Sequence, residues 1–262
     1  MNVLFRHAAI AAVDALMAIM PRRRPARAEL DGCRIVSHRG EHDNRSVQEN
    51  TMAAFETATR AGAWGIEADI RWTADMVPVI IHDPDTVRVF GKDVDIAATT
   101  LADLQIEIPE IPSLKQLIDR FGGKTHLMLE IKAEPFPQLE RQKEILRALL
   151  APLEPGKDYH FLALDADLFD LFDIEPRSCC LGVAEENVSQ LSERIISGGY
   201  GGLTGHYLLL GEKIMERHHK AGQRIGTGFI RSRNCLYREI NRGVAWIFTN
   251  DAVALARILN KQ

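Results

Sequence analysis

The chain has 262 residues, which is more than an average domain needs but close to the roughly 250 residues of a (β/α)8 barrel. Its composition, 46% hydrophobic and 26% charged, is that of an ordinary globular protein, and its formal net charge of −4 argues against a general nucleic-acid binder, which is usually basic. The four cysteines show no CxxC or Cys/His zinc spacing, which favours reduced thiols in an intracellular protein.

The first 31 residues are predicted to precede the main domain, which covers residues 32–262. Residues 8–20 are mostly apolar, but they include Asp14 and are too few to span a bilayer, which takes about 20 residues. A linker rich in arginine and proline follows, from Pro21 to Asp31.

Three interpretations of this apolar segment are open. The favoured one is a helix packed across the floor of the main domain or onto another subunit. The second is a helix lying on a membrane surface, with peripheral membrane contact through residues 1–30. A signal peptide is least favoured, because three arginines at 22–24 follow the apolar run. A cytoplasmic location, with membrane association as the alternative, is therefore expected, and the sequence does not predict the oligomeric state.

Strand-like and helix-like segments alternate from residue 34 onward. A short strand is predicted at Arg34–His38 and a helix at Asn50–Gly62, where apolar residues recur at helical spacing. A second strand, Gly65–Arg71, is followed by the apolar run Val77–Ile81. The intervening residues are too few for a parallel crossover, so this run is expected to fold back along the second strand. That turn would return His82 towards the second strand.

The remaining segments repeat the same alternation. We predict helices at Ser113–Phe121 and 137–150, and strands at Thr125–Lys132 and near 159–164, 179–184, 200–204, 224–229 and 245–249. With the folded-back pair counted once, eight principal strands result. This number favours a closed α/β barrel, a TIM (β/α)8 barrel, over an open sheet.

Polar side chains follow three of the predicted strands, where a parallel barrel carries its functional groups. These residues are His38 and Arg39, Glu67 and Asp69, and Glu130 and Lys132.

The acidic residues Glu67, Asp69 and Glu130 are candidate metal ligands. The two-residue spacing of Glu67 and Asp69 places both side chains on one face of a strand. Two buried carboxylates repel each other, and a hard divalent cation would relieve that repulsion. Oxygen ligands favour Mg²⁺ or Ca²⁺. The alternative is a structural ion network in which the three acids pair with Arg39, Arg71 and Lys132.

Two histidines flank this acidic group, and imidazoles that titrate near neutral pH can exchange protons on both sides of a substrate. His38 and His82 are therefore candidate acid–base residues. Arg39 and Lys132 are candidate phosphate ligands. Asn50, with the adjacent Glu49, either binds a ligand hydroxyl or only starts the helix.

The ordered motifs resemble the glycerophosphodiester phosphodiesterase family. They are His38-Arg39-Gly40, Glu49-Asn50-Thr51, Glu67-Ala68-Asp69, His82-Asp83 and Glu130-Ile131-Lys132. The segment from Trp246 to Asp251 resembles the closing strand of the family. The motifs cover residues 34–132, whereas the second half matches in its strand–helix rhythm.

This resemblance implies a TIM barrel of the phospholipase C-like phosphodiesterase type, active in lipid and glycerol metabolism. It implies hydrolysis of glycerophosphodiesters to sn-glycerol 3-phosphate and an alcohol with one divalent cation. The metal-ligand positions fall on Glu67, Asp69 and Glu130, and the acid–base positions on His38 and His82. Substrate-binding positions fall on Arg39, Glu49, Asn50, Lys132 and Trp246.

Three departures from the family pattern lie at the predicted pocket rim: Gln48, the polar loop Glu41–Val47, and Asn250, where aspartate is usual. They leave the substrate open. One alternative is a lysophospholipase D or sphingomyelinase D-like enzyme that acts on a membrane lipid. Another is hydrolysis of sugar phosphodiesters, and a third is a non-catalytic barrel that binds phosphorylated ligands.

Overall fold

The computed structural model describes residues 12–260. The predictions for residues 1–11 lie outside the described residues. Within the described part, no helix is long and apolar enough to cross a membrane.

Eight parallel strands form a closed barrel, which confirms the predicted TIM fold. The barrel closes because the first strand pairs with both the second and the last strand. In chain order the barrel strands are β1 (Ile35–His38), β2 (Gly65–Trp72), β4 (His126–Ile131), β5 (Tyr159–Ala163), β6 (Cys180–Ala184), β7 (Gly202–His206), β8 (Arg224–Gly228) and β9 (Trp246–Thr249).

A ninth strand, β3 (Pro78–Ile80), folds back on the end of β2 as predicted. It pairs antiparallel, with Ile70 opposite Ile80. Thr73 closes the turn, because its backbone N–H and its hydroxyl both bond the Val77 carbonyl, at 3.1 Å each. The fold-back therefore carries His82 to the mouth of the barrel.

The helices surround the barrel, and their bounds are α1 (12–19), α2 (Arg27–Asp31), α3 (Met52–Arg60), α4 (Val87–Phe90), α5 (Leu101–Glu107), α6 (Leu114–Phe121), α7 (Leu139–Leu150), α8 (Asp167–Leu171), α9 (Val188–Ser197), α10 (Glu212–Lys220), α11 (Arg233–Asn241) and α12 (Ala252–Asn260). Thr51 caps α3 by accepting a hydrogen bond from the Ala54 N–H, and Ser113 caps α6 in the same way. The short helices α4 and α5 were not predicted.

The prediction that α1 packs across the barrel floor is wrong. The hydroxyl of Tyr207, just after β7, donates to the Asp14 carboxylate at 2.5 Å. Asn234, in the first turn of α11, donates to the Ala18 carbonyl at 2.7 Å. Both partners lie at the end of the barrel where the strands terminate, so α1 packs beside the mouth.

The substrate-binding prediction for Trp246 is also wrong. This residue begins β9, at the floor of the barrel, and its side chain is fully buried. It packs inside the barrel with Val36, Met128 and Leu181, and its ring contacts His160 edge to face. A side chain that fills the bottom layer of the barrel cannot reach a ligand at the mouth.

Candidate active site

A cavity of about 660 Å³ opens at the C-terminal end of the barrel. One half is polar and comes from β1, β2, β4 and the segment after β3. Its lining residues are His38, Arg39, Glu67, His82, Glu130 and Lys132. Six of the predicted site residues therefore converge on one cavity.

The three acids lie together at the base of the polar half. Asp69 and Glu130 are register partners on the adjacent strands β2 and β4, and Glu67 lies two residues earlier on β2. One oxygen from each of the three carboxylates lies within 4.8 Å of the others, and all three side chains are buried. Burial and the neighbouring carboxylates of Asp69 and Glu130 raise the pKa of Glu67 well above its usual value.

This donor set fits a hard divalent cation. Glu67 Oε1 is buried and has no hydrogen-bond partner among the described residues. A buried carboxylate oxygen without a donor is costly, and an ion would supply its missing partner. Mg²⁺ and Ca²⁺ both take carboxylate oxygens, so the cluster suits either.

Two cations hold the acids in place. Lys132 Nζ lies 2.7 Å from Asp69 Oδ1 and also contacts Glu130. Arg39 Nε lies 3.2 Å from Asp69 Oδ2, and its Nη1 lies 2.9 Å from Glu49. Burial opposes ionisation of Asp69, but the charges of Lys132 and Arg39 hold the pKa of its carboxyl well below the usual range.

The alternative ion network is only partly present, because Arg71 does not join it. The Arg71 guanidinium pairs with Glu134 at 2.7 Å and donates to the His82 carbonyl at 2.7 Å. It therefore supports the backbone beside the site. The basic side chains that face the three acids are Arg39 and Lys132.

The two histidines have different supporting partners. His38 Nδ1 lies 2.7 Å from Asn250 Oδ1, and His38 Nε2 lies 3.9 Å from Glu67. Burial and the charge of Arg39 lower the pKa of His38 to about 4. His82 Nδ1 lies 2.6 Å from Asp83 Oδ1. Burial, together with the charges of Lys132 and Arg39, also lowers the pKa of His82, although Asp69 and Asp83 oppose this.

Glu49 and Asn50 lie behind the cavity wall, so the structure does not support direct substrate contact for either residue. Both are almost fully buried. The Asn50 amide donates to Asp69 Oδ2 at 2.7 Å, which orients that carboxylate. Asn50 also has a positive φ of 58°, a conformation that asparagine tolerates better than most residues. Thr51, and not Asn50, caps the helix.

Sequence reasoning missed Arg88. Its guanidinium holds Glu49, with Nη2 2.6 Å from Oε1, and Asp83, with Nε 2.5 Å from Oδ2. Burial opposes ionisation of Glu49, but hydrogen bonds from Arg88 and Asn44 and the charge of Arg39 lower its pKa to about 2. No sequence signal marked Arg88, because it lies on the unpredicted helix α4.

The other half of the cavity comes from β5 to β9 and is mainly apolar. Its lining includes Leu162, Leu164, Val183, Leu209, Phe229 and Phe248. Phe229 was not predicted to be a site residue. Its ring contacts His38 edge to face, with 5.6 Å between centroids, and stacks on His206 at 5.3 Å. His206, the last residue of β7, also lines the cavity.

The fold and the site define a (β/α)8-barrel protein with a carboxylate cluster suited to a divalent cation, two cations suited to phosphate, and two histidines. The chain belongs to the glycerophosphoryl diester phosphodiesterase family, whose family model matches residues 38–167. The motifs that carried the resemblance begin at the same histidine, so the family expected from the sequence is confirmed.

Individual relatives agree with this assignment. A glycerophosphodiester phosphodiesterase of Caldanaerobacter subterraneus is 26% identical over 249 residues, which cover 87% of this chain and 98% of that protein. The crystal structure of the Thermotoga maritima glycerophosphodiester phosphodiesterase matches with a TM-score of 0.71 and 25% identity, covering 86% of this chain and 98% of that one. An Oleispira antarctica phosphodiesterase, solved with the product sn-glycerol-3-phosphate, shares the fold with a TM-score of 0.71 at 22% identity, covering 87% of this chain and 97% of that one.

Proposed function

We propose that this protein hydrolyses glycerophosphodiesters to sn-glycerol 3-phosphate and an alcohol, with one divalent cation, Mg²⁺ or Ca²⁺. The observation that carries the proposal is the convergence of Glu67, Asp69 and Glu130 with two histidines and two cations in one cavity. A site that only bound phosphate would not need three buried carboxylates beside it, because they repel the ligand.

The positive groups bind and orient the phosphodiester. The Arg39 guanidinium can donate to phosphate oxygens in a forked geometry, while the Lys132 ammonium acts as a compact charge. Both line the cavity and both are anchored by buried acids, so their positions are set before substrate arrives. When bound by the three carboxylates, a divalent cation supplies Lewis-acid polarisation of a phosphoryl oxygen.

The histidines move the protons. The Asn250 amide oxygen accepts from His38 Nδ1–H, so His38 Nε2 carries the lone pair and faces the acidic cluster. In the proposed reaction this nitrogen takes the proton from the attacking hydroxyl, either water or the glycerol 2-hydroxyl. His82, supported through Nδ1 by the Asp83 carboxylate, gives a proton to the leaving alkoxide. Attack by the glycerol hydroxyl would form a cyclic phosphate, which water then opens.

The test is release of choline from glycerophosphocholine by the full-length protein, with and without added Mg²⁺ or Ca²⁺. His38→Ala and His82→Ala should each lower kcat by about a hundredfold or more. His219→Ala is the matched control, because His219 lies exposed on α10 away from the cavity. Near-normal turnover in either site variant, or full activity after chelation of divalent cations, would contradict the proposal.

We also propose a peripheral membrane contact through the described part of the N-terminal segment. Leu16, Ile19 and Met20 are 50%, 74% and 37% exposed on and just after α1, which lies beside the cavity mouth. Exposed apolar side chains on a surface helix can insert at a bilayer interface. Co-sedimentation with phosphatidylglycerol vesicles should fall for Leu16→Ser/Ile19→Ser but not for Ile106→Ser, whose side chain is 77% exposed on α5. Equal vesicle binding by the wild type and both variants would contradict the proposed membrane contact.

A further inference from the structure

The N-terminal helix α1 reaches the active-site cavity through Asp14. This residue lines the cavity, although α1 ends at residue 19 and the family model matches residues 38–167. The Asp14 carboxylate accepts a hydrogen bond from the Tyr207 hydroxyl, with 2.5 Å between the two oxygens. Tyr207 is almost fully buried, so its hydroxyl has little access to water. A helix outside the matched segment therefore contacts the barrel at the residue that follows β7.

Tyr207 begins a row of rings that ends at a reacting group. The centroids of the Tyr207 and His206 rings lie 4.8 Å apart, and the two planes are inclined by 26°. The His206 ring stacks in turn on Phe229, at 5.3 Å and 23°. The Phe229 ring contacts His38, the proposed base, edge to face at 5.6 Å. A continuous series of contacts therefore runs from Asp14 on α1 to the imidazole of His38.

The two middle rings of this row have further contacts. The Leu208 N–H donates to His206 Nδ1 at 3.2 Å. The Tyr207 N–H donates to the Gly228 carbonyl at 3.3 Å, and the Arg238 guanidinium lies over the Tyr207 ring, 5.9 Å from its centroid. These contacts orient the two rings, and the Tyr207 hydroxyl links them to α1.

Phe229 depends on its neighbours for its position. Its φ is 66°, in the left-handed region that a bulky residue rarely adopts, and its side chain is 46% exposed. Such a conformation persists where the surroundings impose it. The stack on His206 is one such constraint, so loosening the stack should allow the Phe229 ring to turn away from His38.

The attachment of α1 to the barrel rests on few contacts. None of the eight residues of α1 is fully buried. Asn234 donates to the Ala18 carbonyl at 2.7 Å, and Met17 packs against the apolar cluster beneath the helix. Elements with few buried contacts open locally at a low free-energy cost. The bond between Asp14 and Tyr207 is therefore the contact through which α1 can act on the row of rings.

We propose that α1 is a positioning element of the active site, in which Asp14 and Tyr207 keep the Phe229 ring against His38. This inference rests on the proposed hydrolytic function, in which His38 is the base. Asp14 and Tyr207 transfer no proton in the reaction and act through the stacked rings. The imidazole of His38 is then oriented by two contacts, Asn250 at Nδ1 and the Phe229 ring. Loss of either contact should lower turnover more than substrate affinity, because orientation of the base matters in the transition state.

The first test measures kcat and KM for glycerophosphocholine in the full-length protein. Asp14→Ala and Tyr207→Phe each remove the hydrogen bond, and each should lower kcat about 10-fold with KM within about twofold of the wild-type value. Asp14→Asn keeps an acceptor oxygen for the hydroxyl and should retain most of kcat. A loss in Asp14→Asn as large as that in Asp14→Ala would assign the Asp14 charge a direct contact with the substrate and overturn the proposal.

Coupling to Phe229 is tested in a double-mutant cycle. Phe229→Ala removes the ring through which Tyr207 is proposed to act, so adding Tyr207→Phe to it should cost little further kcat. A full 10-fold further loss would show that Tyr207 acts independently of Phe229, which would overturn the proposal.

Tyr200→Phe is the matched control. Tyr200 is also a buried tyrosine whose hydroxyl donates to an aspartate on a helix, Asp170 on α8, at 2.9 Å, and it does not line the cavity. This variant should keep the kcat of the wild type. A loss equal to that in Tyr207→Phe would assign the effect to general destabilisation and contradict a positioning role for α1.

The position of the ring at residue 229 can be measured without turnover. In Phe229→Trp, quenching of the fluorescence by acrylamide reports how exposed the indole is, and the three native tryptophans are common to all the proteins compared. Adding Tyr207→Phe should raise the quenching constant, whereas adding Tyr200→Phe should leave it unchanged. Equal quenching in all three proteins would overturn this inference and leave the proposed function intact. Absence of metal-dependent hydrolysis in the wild type would overturn the proposed function, and the quenching result would still decide whether α1 holds the ring.

Discussion

The amide oxygen of Asn250 lies 2.7 Å from His38 Nδ1, whereas the matching nitrogen of His82 faces the carboxylate of Asp83. An amide orients the imidazole without adding a negative charge, and a carboxylate both orients it and favours the imidazolium. The two histidines are therefore unequal: His38 stays unprotonated at neutral pH and is free to accept a proton, whereas the Asp83 carboxylate favours the protonated form of His82.

Asn250→Asp tests this inequality. A carboxylate at position 250 should raise the pKa of His38 from about 4, because it stabilises the imidazolium. The base would then be protonated at higher pH, so the acidic limb of the profile of kcat/KM against pH should move to higher pH, with little change on the alkaline side. An unchanged acidic limb would contradict the role of His38 as base.

Arg88 is expected to position the site without touching the substrate. It joins Glu49, which holds Arg39, to Asp83, which holds His82, and it does not line the cavity. Arg88→Ala should lower kcat about 10–100-fold with a smaller change in KM, and Arg88→Lys should be intermediate, because lysine lacks the forked donors.

The control for Arg88 is Arg120→Ala. Arg120 is comparably exposed and pairs with Glu56 at 2.9 Å on the outer surface of the barrel. Combining Arg88→Ala with Asp83→Asn should cost clearly less than the sum of the two single effects, because both act through His82. Strict additivity would show that the two residues act independently.

Glu67→Gln should stabilise the protein in the absence of metal. Burial and two neighbouring carboxylates raise the folded-state pKa of Glu67 above its unfolded value, so the folded state binds more protons and stability falls as pH rises through that window. A neutral amide removes this penalty, and each kcal/mol gained raises Tm by about 2–4 °C.

The same variant should lose stabilisation by metal. For the wild-type protein, Mg²⁺ or Ca²⁺ at about 100 times Kd should add about 2.7 kcal/mol, seen as a higher Tm in scanning calorimetry. Glu56→Gln is the control, because Glu56 pairs with Arg120 on the outer surface of the barrel and lies outside the acidic cluster. This variant should be stabilised by metal as the wild type is. Equal stabilisation of Glu67→Gln by metal would contradict Glu67 as a ligand.

A histidine pair at the barrel floor should make stability depend on pH. His126 Nδ1 donates to the Lys157 carbonyl at 2.8 Å, so its Nε2 accepts from His160 Nδ1 at 2.7 Å. Burial lowers the pKa of His126 to about 4, and burial with the charge of His126 lowers that of His160 to about 3. Both groups bind protons near pH 6.5 when unfolded, so stability should fall as pH drops from about 6.5 to about 4.

Urea denaturation at pH 7 and pH 5 measures this dependence. Between pH 7 and pH 5 the free energy of unfolding should fall by an amount on the order of 1–3 kcal/mol. This fall should be smaller in His126→Gln/His160→Gln and unchanged in the exposed control His219→Gln. Identical pH dependence in all three proteins would assign the effect to other groups.

Local sequence determined the barrel and the polar half of the site. Three local features carried these predictions: the alternation of strands and helices, the short link before Val77, and the two-residue spacing of Glu67 and Asp69. Over so few residues, backbone geometry fixes where the chain turns and to which face each side chain points. Since the C-terminal ends of parallel strands meet at one mouth, the sequence alone predicts that Glu130 lies near Glu67 and Asp69.

The groups that support the reactive residues, and the side chains that face them, depend on contacts between distant parts of the chain. Asn250 meets His38 across 212 residues, and Arg88 meets Glu49 across 39 residues, so neither contact has a local signature. Trp246 was wrongly predicted to bind substrate because the motif identifies the last strand but does not show at which end of that strand each side chain lies. The apolar half of the cavity and the position of α1 beside it arise from loops after β5, β7 and β8, which become neighbours only when the barrel closes.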